Sequence, residues 1–418
     1  MQRLRGTKDI LPDESIFWQH IQNTASKLLT LASYHEIRTP IIESTSLFKR
    51  SIGNGTDIVN KEMYSFTDQG SRNITLRPEG TASIARSFIN NNLHKDNTVK
   101  RLWYLGPMFR YERPQNGRQR QFHQLGIECI GSLNPMADVE VIRIATNILN
   151  SLNFSEYTVE INSIGTSEER EKYKEKLIRY LTPYINDLDH HARSKLITNP
   201  LKILDSKNIK TKEILNNGPS LYDCLEKSSK KHFQEVCDYL ECLDIEYTIN
   251  DKLVRGLDYY NYTAFEIKTK KLGSQDTICG GGRYDSLIKQ LGGPNIPSVG
   301  WAIGVERLLL IIKDKTQIEL QKPKIYIVSE GTKACKRILK IIPLLEKNNI
   351  SYNLDLNNSN LQKKLKKANK LGAKICIILC DYEIQHNCIT IKTLKNGSQE
   401  QISILDTNKL IDKIISET

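Results

Sequence analysis

Two cysteines spaced as CxxC, a Cys/His cluster at zinc-finger spacing and an apolar run of membrane-spanning length are all missing from this chain. The nine cysteines are odd in number, with Cys237 and Cys242, and Cys376 and Cys380, the nearest pairs, so a disulfide framework or a structural zinc site is not expected. A transmembrane helix needs about 20 consecutive apolar residues, and without one no membrane partner is expected. The first residues, MQRLRGTKDI, show neither the apolar core of a secretory signal nor the Arg/Ser-rich pattern of a transit peptide. The expectation is a soluble chain with reduced thiols. Acidic residues are the minority: 48 Asp and Glu stand against 60 Lys and Arg, a net charge of +12. That balance suits a polyanion, nucleic acid first, although it reports attraction rather than function. The length of 418 residues allows two or three domains.

The stretch from Phe109 to Cys129, FRYERPQNGRQRQFHQLGIEC, reads as two strands joined by a polar turn. Side chains alternate faces along a strand, so His123, Leu125, Ile127 and Cys129 share an apolar face while Phe122, Gln124, Gly126 and Glu128 share the other. Buried polar groups without partners are costly, and the second face therefore reads as the floor of a cavity. Arg110 and Glu112 share a parity on the preceding strand. The turn adds Arg113, Arg118 and Arg120 beside Pro114, Asn116 and Gly117. Guanidinium forks suit phosphate oxygens and an aromatic ring stacks on a base. Two readings stand at this point, a nucleotide site or a surface hairpin with solvated arginines.

Along the chain, Ser15 to Ser33 has helical periodicity, and HEIRTPIIES reads as a strand interrupted by Pro40, which belongs at an edge or an interface. Met63–Phe66 and Asn73–Leu76 form a hairpin pattern. In RPEGTASIARSFI, Pro78 fits a helix start, with Glu79 as cap or as partner of a substrate ammonium. A helix from Met136 to Leu152 closes this block. Thr166 to Leu243 is charge-rich and helical and reads as an inserted module, in which His190 and His191 are solvated. Strand character returns in LVRGLDYYNYTAFEIKT, where Arg255 precedes Gly256, Asp258, Tyr259 and Tyr260. Gly280, Gly281 and Gly282 then let backbone approach a ligand. In VGWAIGVERLLLIIK a strand runs into an apolar helix carrying Arg307, which must be paired or aimed into a cavity.

Beyond a linker near Thr316 to Pro323 the pattern becomes alternating strands and helices, a separate α/β domain. From Pro323 to Thr418 there are 16 Lys/Arg and 9 Asp/Glu, a net of 16 − 9 = +7, more than half of the chain's excess. Lys363, Lys364, Lys366, Lys367 and Lys370 oppose Leu361, Leu365 and Ala368 on one helix, a one-sided charge that favours a phosphate backbone.

With FRYE, RQFHQLGIE, LVRGLDYY and GVER together, the sequence resembles the histidyl-tRNA synthetases, class II aminoacyl-tRNA synthetases, over nearly its full length. FRYE with Phe122 resembles the second class II motif, GVER the third and the strand around Pro40 the first. The resemblance implies an α+β architecture: an antiparallel catalytic sheet flanked by helices over residues 1–322, with a helical insertion at about 166–243, and an α/β anticodon-binding domain at 323–418. It implies activation of L-histidine by ATP with Mg2+, transfer to histidine tRNA, a homodimer, and a cytoplasmic location or, for an organelle-encoded protein, the plastid stroma. Arg110 and Arg307 are then expected on the ATP phosphates, Phe122 on adenine and Glu112 on its amino group. Glu79, Gly80, Thr81, Arg110, Gln124, Glu128, Arg255, Tyr259 and Tyr260 are expected at the histidine, with Arg255 and Arg110 catalytic and no protein-held metal. The rivals are a non-catalytic synthetase-like regulatory subunit that binds histidine and an RNA-binding sensor on the same scaffold.

Overall fold

A computed structural model describes the chain except residues 54–55, 116, 205, 207, 274–275, 316–317, 319–322 and 418, and the side chains of residues 191 and 197. Asn116, most of the expected linker and the side chain of His191 thus lie outside the described residues. The chain divides into two compact units, Met1–Ile318 and Glu319–Thr418.

The first unit contains strands β1 (His35–Glu36), β2 (Ile42–Ser44), β3 (Tyr64–Thr67), β4 (Asn73–Leu76), β5 (Lys100–Phe109), β6 (Gln121–Ile130), β7 (Thr158–Ser163), β8 (Thr248–Ile249), β9 (Asn261–Lys268), β10 (Thr277–Arg283) and β11 (Ser298–Gly304). Its helices are α1 (Pro12–Leu31), α2 (Thr45–Ile52), α3 (Thr81–Asn90), α4 (Pro135–Ser151), α5 (Ser167–Leu181), α6 (His190–Thr198), α7 (Ile209–Asn216), α8 (Lys227–Cys242), α9 (Leu287–Gln290) and α10 (Val305–Ile312). Eight strands form one sheet in the order β1-β5-β6-β11-β10-β9-β7-β8, antiparallel except for the outer pairs β1·β5 and β7·β8. A smaller antiparallel sheet has the order β2-β4-β3.

The alternation read in the hairpin sets the position of β6. Leu125, Ile127 and Cys129 are buried in a core shared with α1, α4, α8 and α10. Helix α1 reaches it through Ile21, Ala25 and Leu29, spaced four apart and therefore on one stripe. Register then aligns Gln124 with Gly304 and Glu128 with Gly300 across β6 and β11. HEIRTPIIES is not one strand but two, β1 and β2, in different sheets on either side of Pro40. Proline supplies no ladder donor, so the chain changes sheets there. Both pieces lie at a sheet edge. Between β7 and β8 run α5 to α8, tied together by Glu169: it completes the α5 capping box with Thr166 and accepts the Ser229 hydroxyl of α8 at 2.8 Å. Strand β7, ahead of this module, went unread because its TVEINS is short and mixed. His190 is exposed.

The second unit follows β12 (Ile325–Ser329), α11 (Thr332–Lys347), β13 (Tyr352–Leu354), α12 (Leu361–Lys370), β14 (Ile375–Leu379), α13 (Asp381–Gln385), β15 (Cys388–Thr393), β16 (Gln399–Ser403) and α14 (Thr407–Glu417). Its sheet order is β13-β12-β14-β15-β16, parallel across the first three strands and antiparallel across the rest. One lysine of α12 departs from the expected solvated stripe. Lys364 is buried and its Nζ donates to the Ser329 carbonyl at 3.0 Å, satisfying the end of β12. Among the described residues no helix is long and apolar enough to cross a membrane.

Candidate active site

A cavity of about 240 Å³ opens on the polar face of β6, walled by β10, β11, the start of α3 and the loop from Arg255 to Tyr260. Ten of the twelve residues expected from sequence line it: Glu79, Thr81, Arg110, Glu112, Phe122, Gln124, Arg255, Tyr259, Tyr260 and Arg307. Glu128 and Gly80 do not line it.

Glu128 is fully buried at one end. Its carboxylate accepts the Thr81 hydroxyl at 2.7 Å and the Tyr284 hydroxyl on the other oxygen. Burial pushes its pKa up to about 8, with those two hydrogen bonds opposing and the nearby Glu79 adding to the rise. Space for the carboxylate comes from Gly300, where a Cβ would lie 2.0 Å from Glu128 Oε2. Gly80 and Gly126 sandwich the Tyr104 ring, and a Cβ on either would fall 2.3 Å from it. Glu79 caps α3, accepting the Thr81 and Ala82 backbone N–H groups at 2.7 and 2.8 Å, and its burial raises its pKa. Tyr259, Tyr260 and Tyr284 close this end with ring centroids 4.7 to 6.4 Å apart. The Gln124 Oε1 atom is buried without a protein partner. A buried acceptor left in that state is ready for a donor from a ligand.

At the other end cations crowd together. Arg110 is anchored by Nε to the Pro78 carbonyl at 2.8 Å, with its guanidinium 5.3 Å from the Phe122 ring centre. Glu112 lies 3.8 Å from Arg110 and 3.1 Å from Arg118. Arg307 donates to the Gly117 and Thr277 carbonyls at 3.2 and 2.9 Å. Its pKa is lowered, first by burial and then by Arg118 and Arg110, despite Glu112. Arg255 stands between the two ends. It pairs with Glu266 of β9, which with its other neighbours keeps its pKa raised against burial, and its guanidinium is 5.7 Å from the Tyr260 ring centre.

The glycine run does other work than expected. A Cβ at Gly280 would lie 2.2 Å from Arg255, one at Gly281 2.4 Å from the Gly300 carbonyl, and one at Gly282 2.5 Å from the Thr263 carbonyl. These glycines make room for the protein's own groups, and Gly280 also lines the cavity. Arg120 likewise serves structure, its guanidinium 3.9 Å from the Tyr111 ring centre and its backbone N–H bonded to the Gly6 carbonyl at 2.7 Å. Arg118 lines the cavity and Arg113 is exposed.

Sequence reasoning missed Tyr284, Glu266, Gly300 and the buried support beneath them. Fully buried Arg283 pairs with Asp138 of α4 and with Asp285 at 3.2 Å, and donates to the Ser132 carbonyl at 2.7 Å, fixing the end of β10 next to Tyr284. Burial pushes Asp138 up, but Arg283 and His232 together more than offset this and hold it at about 2. A local signal marked only the support, not the contact with Glu128: Arg283 and Asp285 flank Tyr284 directly after three glycines.

A profile of the histidyl-tRNA synthetase family matches residues 6–308 of this sequence. The chain belongs to that family. A second profile, the anticodon binding domain, matches residues 324–414. A chloroplastic histidine–tRNA ligase of Gracilaria tenuistipitata var. liui is 64% identical over 394 residues, 94% of each chain. A histidine–tRNA ligase of Acaryochloris marina is 51% identical over 417 residues, all of this chain and 97% of the other. The crystal structure of apo S. aureus histidyl-tRNA synthetase superposes with a TM-score of 0.81 at 36% identity, covering 99% of both chains. Such identity over nearly the whole length decides for the ATP-dependent ligase over the regulatory subunit.

Proposed function

We propose that the cavity is where this synthetase makes histidyl-adenylate, with the charged end for ATP and the buried end for histidine. The observation that carries the reading is the convergence of Arg110, Arg255 and Arg307 on a cavity backed by the hydroxyl-bonded Glu128. The histidine carboxylate attacks the α-phosphorus and pyrophosphate leaves in line. Positioning and charge neutralisation do most of the work in such transfers. Arg110 and Arg255 meet the α-phosphate, Arg307 the γ-phosphate, Phe122 stacks on adenine and Glu112 reads its amino group. Glu79, Thr81 and Gln124 take the substrate ammonium region, with Gly80 leaving room for the ring beneath them. Glu128 and Tyr260 address the imidazole, and Tyr259 completes the wall. The terminal ribose 3′ hydroxyl of histidine tRNA then attacks the adenylate carbonyl.

Magnesium enters with the triphosphate, held by phosphate oxygens and water as this ion prefers. Residues 1–322 form the catalytic domain with its insertion at about 166–243, and 323–418 the anticodon-binding domain. On α12 the exposed Lys363, Lys366, Lys367 and Lys370 suit an RNA backbone. The protein works as a homodimer through the region of β1 and β2, a reading supported by the exposure of Ile41, Ile42 and Phe66. Between cytoplasm and plastid stroma, the chloroplastic Gracilaria relative favours the stroma. The test is histidine-dependent exchange of pyrophosphate into ATP, followed by charging of histidine tRNA. Histidine binding without exchange would defeat the assignment of this cavity.

A further inference from the structure

Glu306 precedes Arg307 on α10, and its carboxylate reaches across to β6. Its two oxygens lie 3.0 and 2.9 Å from the His123 backbone nitrogen, and His123 Nδ1 is 2.9 Å from Oε1. A carboxylate only accepts, so Nδ1 carries the proton. The β6–β11 ladder stops at Gln124 opposite Gly304, and the next N–H of β6 is taken by this side chain. Glu306 therefore extends the ladder where backbone pairing ends. His123 sits between Phe122 and Gln124, both of which line the cavity, and its own ring packs edge-on against Trp18 of α1 with centroids 4.7 Å apart.

We propose that His123 is a positioning residue for ATP: through Glu306 it sets the separation between the Phe122 ring on β6 and the Arg307 guanidinium on α10. This rests on the reading above that those two groups address opposite ends of the nucleotide. A ring stack and a phosphate contact act together only if strand and helix keep a fixed spacing, and misplacement weakens both. The imidazole subsite of Glu128, Thr81 and Tyr284 is hydrogen-bonded within itself and not to His123 or Glu306.

Two substitutions separate the hydrogen bond from mere packing. His123→Phe keeps a ring against Trp18 and the backbone N–H to Glu306 but loses the Nδ1 donor; His123→Asn loses the ring but places an amide N–H near the Nδ1 position. In pyrophosphate exchange, His123→Phe is expected to raise the KM for ATP about tenfold through misplacement of the ring stack and the phosphate contact. Its histidine KM should stay within about twofold, and His123→Asn should restore the ATP KM. An unchanged ATP KM in His123→Phe, an equal rise in His123→Asn, or parallel rises for ATP and histidine would each overturn the proposal. Should His123→Phe not fold, His123→Leu, which likewise lacks the Nδ1 donor and lies outside the cavity lining, is read by the same criteria. Wild-type protein without exchange would sink the cavity assignment and this inference with it, whereas normal wild-type exchange with an insensitive His123→Phe sinks the positioning role alone.

Discussion

The closed end of the cavity is walled by hydroxyls and aromatic rings with one fully buried carboxylate behind them; the open end is walled by guanidiniums partnered with carbonyls and carboxylates. Both are lined from the same face of β6, two to six residues apart. Selecting a small amino acid requires a few groups whose burial makes a mismatch costly. Holding a flexible polyanion requires charge that can exchange a carbonyl or carboxylate for a phosphate. On the assignment proposed above, one strand would serve both because its register places Glu128 in the interior opposite Gly300 and leaves Phe122 half-buried.

Arg255 joins the two ends, and its loss should do most damage. Arg255→Ala is expected to lower the exchange rate by on the order of a hundredfold or more while histidine still binds, checked by exchange kinetics and calorimetry. Wild-type rates would remove Arg255 from the mechanism. Next, Gly300→Ala attacks the closed end, since the added methyl meets the Glu128 carboxylate and the Ile127 carbonyl beside it. It should destabilise the fold by about 1–3 kcal/mol, read by denaturant unfolding, and raise the histidine KM more than the ATP KM.

The raised pKa of Glu128 gives a pH test. Its folded value of about 8 lies above the ordinary 4.5, so its favourable share of stability is complete below about pH 4.5 and is lost as pH rises through 8. Thermal unfolding of the ligand-free protein between pH 6 and 9 should decline less steeply in Glu128→Gln than in the parent. Equal slopes would remove Glu128 as the titrating group. The smallest effect is expected at the open end: Arg118→Ala breaks a partly exposed pair with Glu112 and should raise the ATP KM only about two- to fivefold without changing that for histidine.

Legibility followed the same division. The two faces of β6 were readable because alternation along a strand is local, and so was the passage from β11 into α10 around Gly304. Groups supplied from a distance were not. Tyr284 reaches Glu128 across 156 residues and Glu306 reaches His123 across 183, and no local pattern announces either meeting. Gly300 was equally hidden, and Gly280 was read as room for a ligand rather than for Arg255, because a glycine that accommodates another residue's side chain carries no local mark of it. Lys364 shows the converse: a charge that fits a solvated stripe by spacing is drawn inward by a single carbonyl at the end of β12.

The division of labour itself is tested most directly by Glu128→Ala in pyrophosphate exchange, with histidine and ATP varied separately. The KM for histidine should rise on the order of a hundredfold, because Thr81 and Tyr284 lose their acceptor and the imidazole its partner, while the KM for ATP stays within about threefold. Equal rises for both substrates would contradict the account.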